Sequence, residues 1–147
     1  MFVLTSGRSQ IFPLLANNFV YRKLDFDPTA AVHLQGRFVD KVHSYGRLAS
    51  PTVVPFLRSA TDCYQQFFAL VAQGSGTVPT VDVDLVWHTH QLAPRRYAVF
   101  CNKFAGRFVN HDDSDAPGRS EQREELFART KATYRAVFAS EYRICLS

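Results

Sequence analysis

The chain has 147 residues, 46 % of them hydrophobic and thirteen of them Phe, which is enough apolar surface for one domain with its own core and argues against a disordered chain. The formal net charge is +4, but the seventeen Lys and Arg are scattered, and Arg95-Arg96 is the only adjacent basic pair beyond the N-terminal segment, which argues against a concentrated phosphate-binding stripe. No apolar run approaches the roughly 18 to 20 residues of a membrane span, and the N terminus lacks the pattern of a secretory signal, so a cytoplasmic protein without membrane association is expected.

The first twenty-five residues form an atypical N-terminal segment, and residues 26–147 read as one helical domain. A helix is predicted from about Pro28 to Tyr45, with Ala31, Val32, Phe38, Val39, Val42 and Tyr45 on one face. The next begins at Ser50 as N-cap, with Pro51 at the first helical position, Pro55 still tolerated near the first turn, and Gly74 as the stop. Its apolar stripe includes Val53, Phe56, Leu57, Ala60, Cys63, Tyr64, Phe67, Phe68 and Val71 at three- and four-residue steps.

Residues 81–90, "VDVDLVWHTH", alternate like a strand, while Asp82 or Asp84 also suits the start of a helix. In a strand, His88 and His90 share a face with Asp82 and Asp84; in a helix, His88 pairs with Asp84 one turn back and His90 points elsewhere. No partner strand is evident, so the helix is preferred. Pro94 then starts a further helix through "RRYAVFCNKF", stopped by Gly106, with Tyr97 and Cys101 on one face. A last helix is predicted from about Ser120 to Glu141, with Leu126, Phe127, Thr130, Tyr134, Val137 and Phe138 on one side. Together these give a mainly α fold, a single-domain helical bundle of about five helices in which the apolar stripes cover one another. Cys63, Cys101 and Cys145 show no C-x-x-C spacing, so reduced thiols are expected.

The run "VPTVDVDLVWHTHQLAPRRY", followed by "GRFVNHDD" and the closing Tyr142-Arg143-Ile144-Cys145, resembles the glycine-rich domain-containing protein-like family of plants and fungi. Pro79, Asp82, Asp84, Trp87, His88, Thr89, His90, Pro94, Tyr97, His111, Asp112 and Asp113 carry that resemblance, and "ASPTVVPFLRSATDCYQQFFAL" carries it more loosely. Longer members have a glycine-rich tail; with seven glycines in all, this chain reads as a short single-domain member without one. The resemblance implies links to growth and stress responses in plants and a suggested role in RNA binding.

The residues that carry chemistry are the His and Asp of this motif. His88, His90 and His111 with Asp113 are candidate ligands of a Zn or Fe ion, since neutral imidazoles and a carboxylate suit either metal. Asp84, Asp112, Tyr97 and Cys101 complete the polar cluster. His111-x-Asp113 matches the first two ligands of non-haem iron oxygenases, yet no His follows position 111 to supply their third. The leading reading is that the cluster is a hydrogen-bonded brace that orders an interaction or regulatory domain acting on a protein partner, with metal binding or metal-dependent catalysis as its alternative. Cys101 as a nucleophile activated by a neighbouring His is a weaker reading, and the +4 charge together with the family link adds RNA binding as a further one.

Overall fold

The computed structural model describes residues 27–74, 76–111 and 120–144. They fold into five helices, and no strand occurs among the described residues: α1 (Pro28–Ser44), α2 (Val53–Ala72), α3 (Val81–Gln91), α4 (Pro94–Ala105) and α5 (Ser120–Phe138). None of these helices is long and apolar enough to cross a membrane. The N-terminal segment, Asp112, Asp113 and Cys145 lie outside the described residues.

Helix α2 is the centre of the bundle, packed against α3, α4 and α5, while α1 lies on α3. Its buried side is Phe56, Ala60, Tyr64, Phe67, Phe68, Leu70 and Val71, which is the predicted stripe with Leu70 added and with Val53, Leu57 and Cys63 only half-buried. Cys63, expected in the core, is half-buried and packs against its edge. Trp87 of α3, Tyr97 and Cys101 of α4, and Tyr134 of α5 fill the remaining core with Tyr142. Phe67 stacks on Tyr142 at 5.9 Å and meets Trp87 edge-on at 5.6 Å, the spacings at which aromatic pairs add to simple burial.

Two boundaries and one buried face differ from expectation. Helix α2 starts at Val53 rather than next to Ser50, because Ser50 Oγ accepts the Thr52 N–H at 3.2 Å and closes a separate turn. The later start moves Pro55 to the third helical position, where the missing N–H has no intrahelical acceptor to lose; a start at Pro51 would have placed it in the second turn. Helix α5 stops at Phe138, short of Glu141, where Ala139 turns to φ 51°. The third difference is larger. Helix α1 does not bury the predicted face: Val42 is buried, but Val32 and Val39 are 71 % and 55 % exposed, and Tyr45 is also exposed. Because α1 contacts the bundle through α3, only the side bearing Val42 and the half-buried Phe38 is covered.

Residues 81–91 are helical throughout, as preferred over the strand. Thr80 is the N-cap residue in extended conformation, and Asp82 and Asp84 occupy the first turn, where carboxylates interact favourably with the positive end of the helix dipole. The Thr80 N–H donates to Tyr142 Oη at 3.0 Å, which ties the start of α3 to the C-terminal segment.

Candidate functional site

Helical spacing places His88 one turn after Asp84, with His88 Nε2 at 3.8 Å from Asp84 Oδ1. The third member comes from the chain beyond α4. Gly106 adopts φ 66° and ends that helix, and the following residues return to α3 so that His111 Nε2 lies 2.7 Å from the same Asp84 Oδ1. One ligand atom from each of Asp84, His88 and His111 lies within 4.8 Å of the other two. The three side chains are 9 %, 12 % and 7 % exposed, so the group is largely shielded from water.

Tyr97 fixes the return of the chain. Its hydroxyl accepts the Trp87 indole N–H at 2.7 Å and donates to the Val109 carbonyl at 2.8 Å, two residues before His111. Tyr97 is 1 % exposed, and burial pushes its phenol up to about 12, so it stays neutral and keeps the proton it donates. The Trp87 indole packs against the His111 ring at 4.3 Å, and Phe38 of α1 stacks on His88 at 4.1 Å and 11°. His111 is therefore held by Trp87 and by its hydrogen bond to Asp84, whereas His88 is held by Phe38 with Asp84 one turn away at 3.8 Å.

His90 is not brought to this group. It projects from another side of α3, where its Nδ1 lies 3.0 Å from the Tyr64 hydroxyl and its ring packs edge-on against Tyr97 and Phe100. Burial lowers the His90 pKa and raises that of Tyr64, which leaves a neutral phenol donating to a neutral imidazole. Cys101 is fully buried beneath Tyr97, out of reach of a substrate, so the structure gives no support to its use as a nucleophile. Asp112 and Asp113 fall outside the described residues.

A cavity of about 90 Å³ opens beside the group, lined by Asp84 and His88 and walled by Arg37, Phe38 and Lys41 of α1 and Arg123 of α5. Apart from Phe38, on the apolar face of α1, none of the wall residues stands out in the sequence. They lie roughly 35 to 50 residues from Asp84 and His88 on either side, and only the packing of α1 on α3 and of α5 on α2 assembles them. Tyr64 was legible as a core position but not as the partner of His90, since nothing local links residues 26 apart.

Comparison with known proteins accords with the motif. The family model described as glycine-rich domain-containing protein-like matches residues 16–100, which includes Asp84, His88 and His90 but stops before His111. Glycine-rich domain-containing protein 1 of Arabidopsis thaliana is 35 % identical over 94 residues, and glycine-rich domain-containing protein 2 of the same plant is 32 % identical over 94 residues; each match covers 59 % of this chain. The match spans only 12 % of the length of either relative. No solved structure matches the chain. With a family model covering more than half of its length and carrying the Asp-x-x-x-His core of the cluster, the chain belongs to the glycine-rich domain-containing protein-like family.

Proposed function

We propose that this domain binds a divalent transition metal ion, zinc or iron, through Asp84 Oδ1, His88 Nε2 and His111 Nε2. The carrying observation is that Asp84, His88 and His111 each offer one ligand atom within 4.8 Å of the other two. Metal–ligand bonds of about 2.0–2.1 Å at tetrahedral angles put neighbouring ligand atoms about 3.3 Å apart. The 3.8 Å separation of Asp84 and His88 is already close to this, and the 2.7 Å hydrogen bond between Asp84 and His111 needs to open by less than 1 Å. Two imidazoles and one carboxylate leave further coordination positions for water or a substrate atom, reached from the cavity that Asp84 and His88 line. A bound zinc ion supplies Lewis acidity and lowers the pKa of its water to about 7, which is the basis for reading the domain as a metal-dependent enzyme or metal sensor. The test is elemental analysis and Zn²⁺ titration of the untagged protein beside His88→Ala and His111→Ala. One equivalent of metal, lost in both variants, supports the reading; a wild type that takes up neither Zn²⁺ nor Fe²⁺ removes it.

The short Asp84–His111 bond favours a second reading, in which the cluster is a brace that orders an interaction or regulatory domain. A His–Asp bond of this length, beside the separate Trp87–Tyr97–Val109 hydrogen bonds, fixes the segment after α4 without any metal. On this reading the same two variants melt at lower temperature, the protein shows no metal stoichiometry, and function lies in a protein partner.

A further inference from the structure

A second cavity touches the cluster from another side. It has a volume of about 280 Å³ and is lined by Trp87 and His111 but by neither Asp84 nor His88. Its walls are the end of α2 with the glycine turn that follows, residues 76–79, and residues 107–111. Val71, Pro79, Trp87 and Val109 make one part of the lining apolar, and Arg107, Asn110 and His111 make the other part polar. Gly74 has φ +80°, a conformation that excludes most side chains, and a Cβ on Gly76 would stand 3.3 Å from Leu126 Cδ2. The rim is thus kept bare by backbone geometry at one glycine and by packing at the other.

Two features of the lining point to an occupant. Among the described residues that line it, Arg107 is the only Lys or Arg, and no Asp or Glu accompanies it. The guanidinium makes one long hydrogen bond, from Nη2 to the Val71 carbonyl at 3.4 Å, and has no carboxylate partner among the described residues. Its remaining donors suit the planar, two-pronged geometry of a carboxylate. His111 supplies the second feature: Nε2 is held by Asp84, whereas Nδ1 is buried and makes no hydrogen bond. With its proton on Nε2 and donated to the Asp84 carboxylate, the imidazole presents Nδ1 as an acceptor, which a hydroxyl carried by an occupant would satisfy. A cavity just below the usual size range of small-molecule sites, half apolar and edged by an exposed guanidinium that has no carboxylate partner among the described residues, matches a compact ligand with a flat apolar body and one negative charge.

We propose that this cavity is a binding site for a small carboxylate, its charge met by Arg107 and its apolar body lodged against Trp87, Val71 and Val109. The site does not depend on a metal at Asp84, His88 and His111, and its test is run on the full chain in EDTA so that the two ideas stand or fall separately. Benzoate is the probe, with benzyl alcohol as the uncharged control of similar shape, and the readout is the shift of the Gly76, Thr77 and Asn110 amide signals in ¹⁵N spectra. Benzoate is expected to give saturable shifts at those amides. Arg107→Ala should weaken it by at least about tenfold, as should replacement of benzoate by benzyl alcohol, because either change removes the charge-assisted hydrogen bond. Arg107→Lys should recover part of the loss, which separates charge from any effect on folding. Absence of saturable shifts, equal binding of benzyl alcohol, or unchanged affinity in Arg107→Ala overturns the proposal.

Discussion

Replacing Tyr97 by Phe tests the physical account of how the site is held. The substitution keeps the ring that packs on His90 and Phe108 and removes a single buried oxygen. That oxygen accepts from Trp87 at 2.7 Å and donates to Val109 at 2.8 Å, in a residue that is 1 % exposed. Trp87 is 5 % exposed and Val109 3 %, so neither orphaned group gains ready access to water. A buried polar group left without a partner costs about 1–3 kcal/mol, so the two together predict a loss of roughly 2–6 kcal/mol. For a domain of this size, where each kcal/mol shifts Tm by roughly 3–5 °C, thermal unfolding followed by far-ultraviolet circular dichroism should show Tm falling by about 6 °C or more. Tyr64→Phe is the internal comparison, because it removes only the bond to His90 and should cost about 1 kcal/mol. A Tyr97→Phe protein melting within about 2 °C of wild type would refute the claim that this hydroxyl anchors the segment bearing His111.

The depressed pKa of His90 implies a pH dependence. Burial disfavours the charged ring in the folded state, so the unfolded chain takes up the proton first. The penalty is absent above the ordinary pKa of 6.5 and grows as pH falls from there toward the folded value, so urea unfolding should show stability declining over that window and His90→Gln should flatten the decline. Pro55→Ala should change stability by less than about 1 kcal/mol, since position 55 needs no N–H at the third residue of α2; a large gain in urea midpoint would place the helix start earlier than Val53. Val32→Ser and Val39→Ser should each cost less than about 0.5 kcal/mol in the same assay, given their exposure, and a cost typical of core truncation would show that this face of α1 is covered.

Much of this architecture follows from local rules written into the chain. Spacings of three and four apolar residues define the buried face of α2, Pro94 and Gly106 delimit α4, and Asp27 caps α1 by accepting the Thr29 N–H at 2.8 Å. The pairing of Asp84 with His88, and the divergence of His90 from them, are consequences of helical periodicity alone once residues 81–91 are helical. Family membership was legible for a similar reason, because the motif is compact and lies largely on one helix and its flanks.

Tertiary structure decided what periodicity cannot address. A stripe on α1 tells which side is apolar, but whether that side is buried depends on how much of a neighbouring surface reaches it, and α3 reaches only as far as Phe38 and Val42. The start of α2 turned on a competition between Ser50 as a helix cap and Ser50 as the closure of its own turn, two uses of one hydroxyl that differ little in energy. His111 joins Asp84 across 27 residues because Tyr97 pins the returning segment, and Arg37 and Arg123 reach the same cavity from helices at opposite ends of the described chain. Sequence separations of this size are closed by packing of the whole bundle, so the residue types were readable from the chain, while their convergence on Asp84 and on the two cavities was set by the fold.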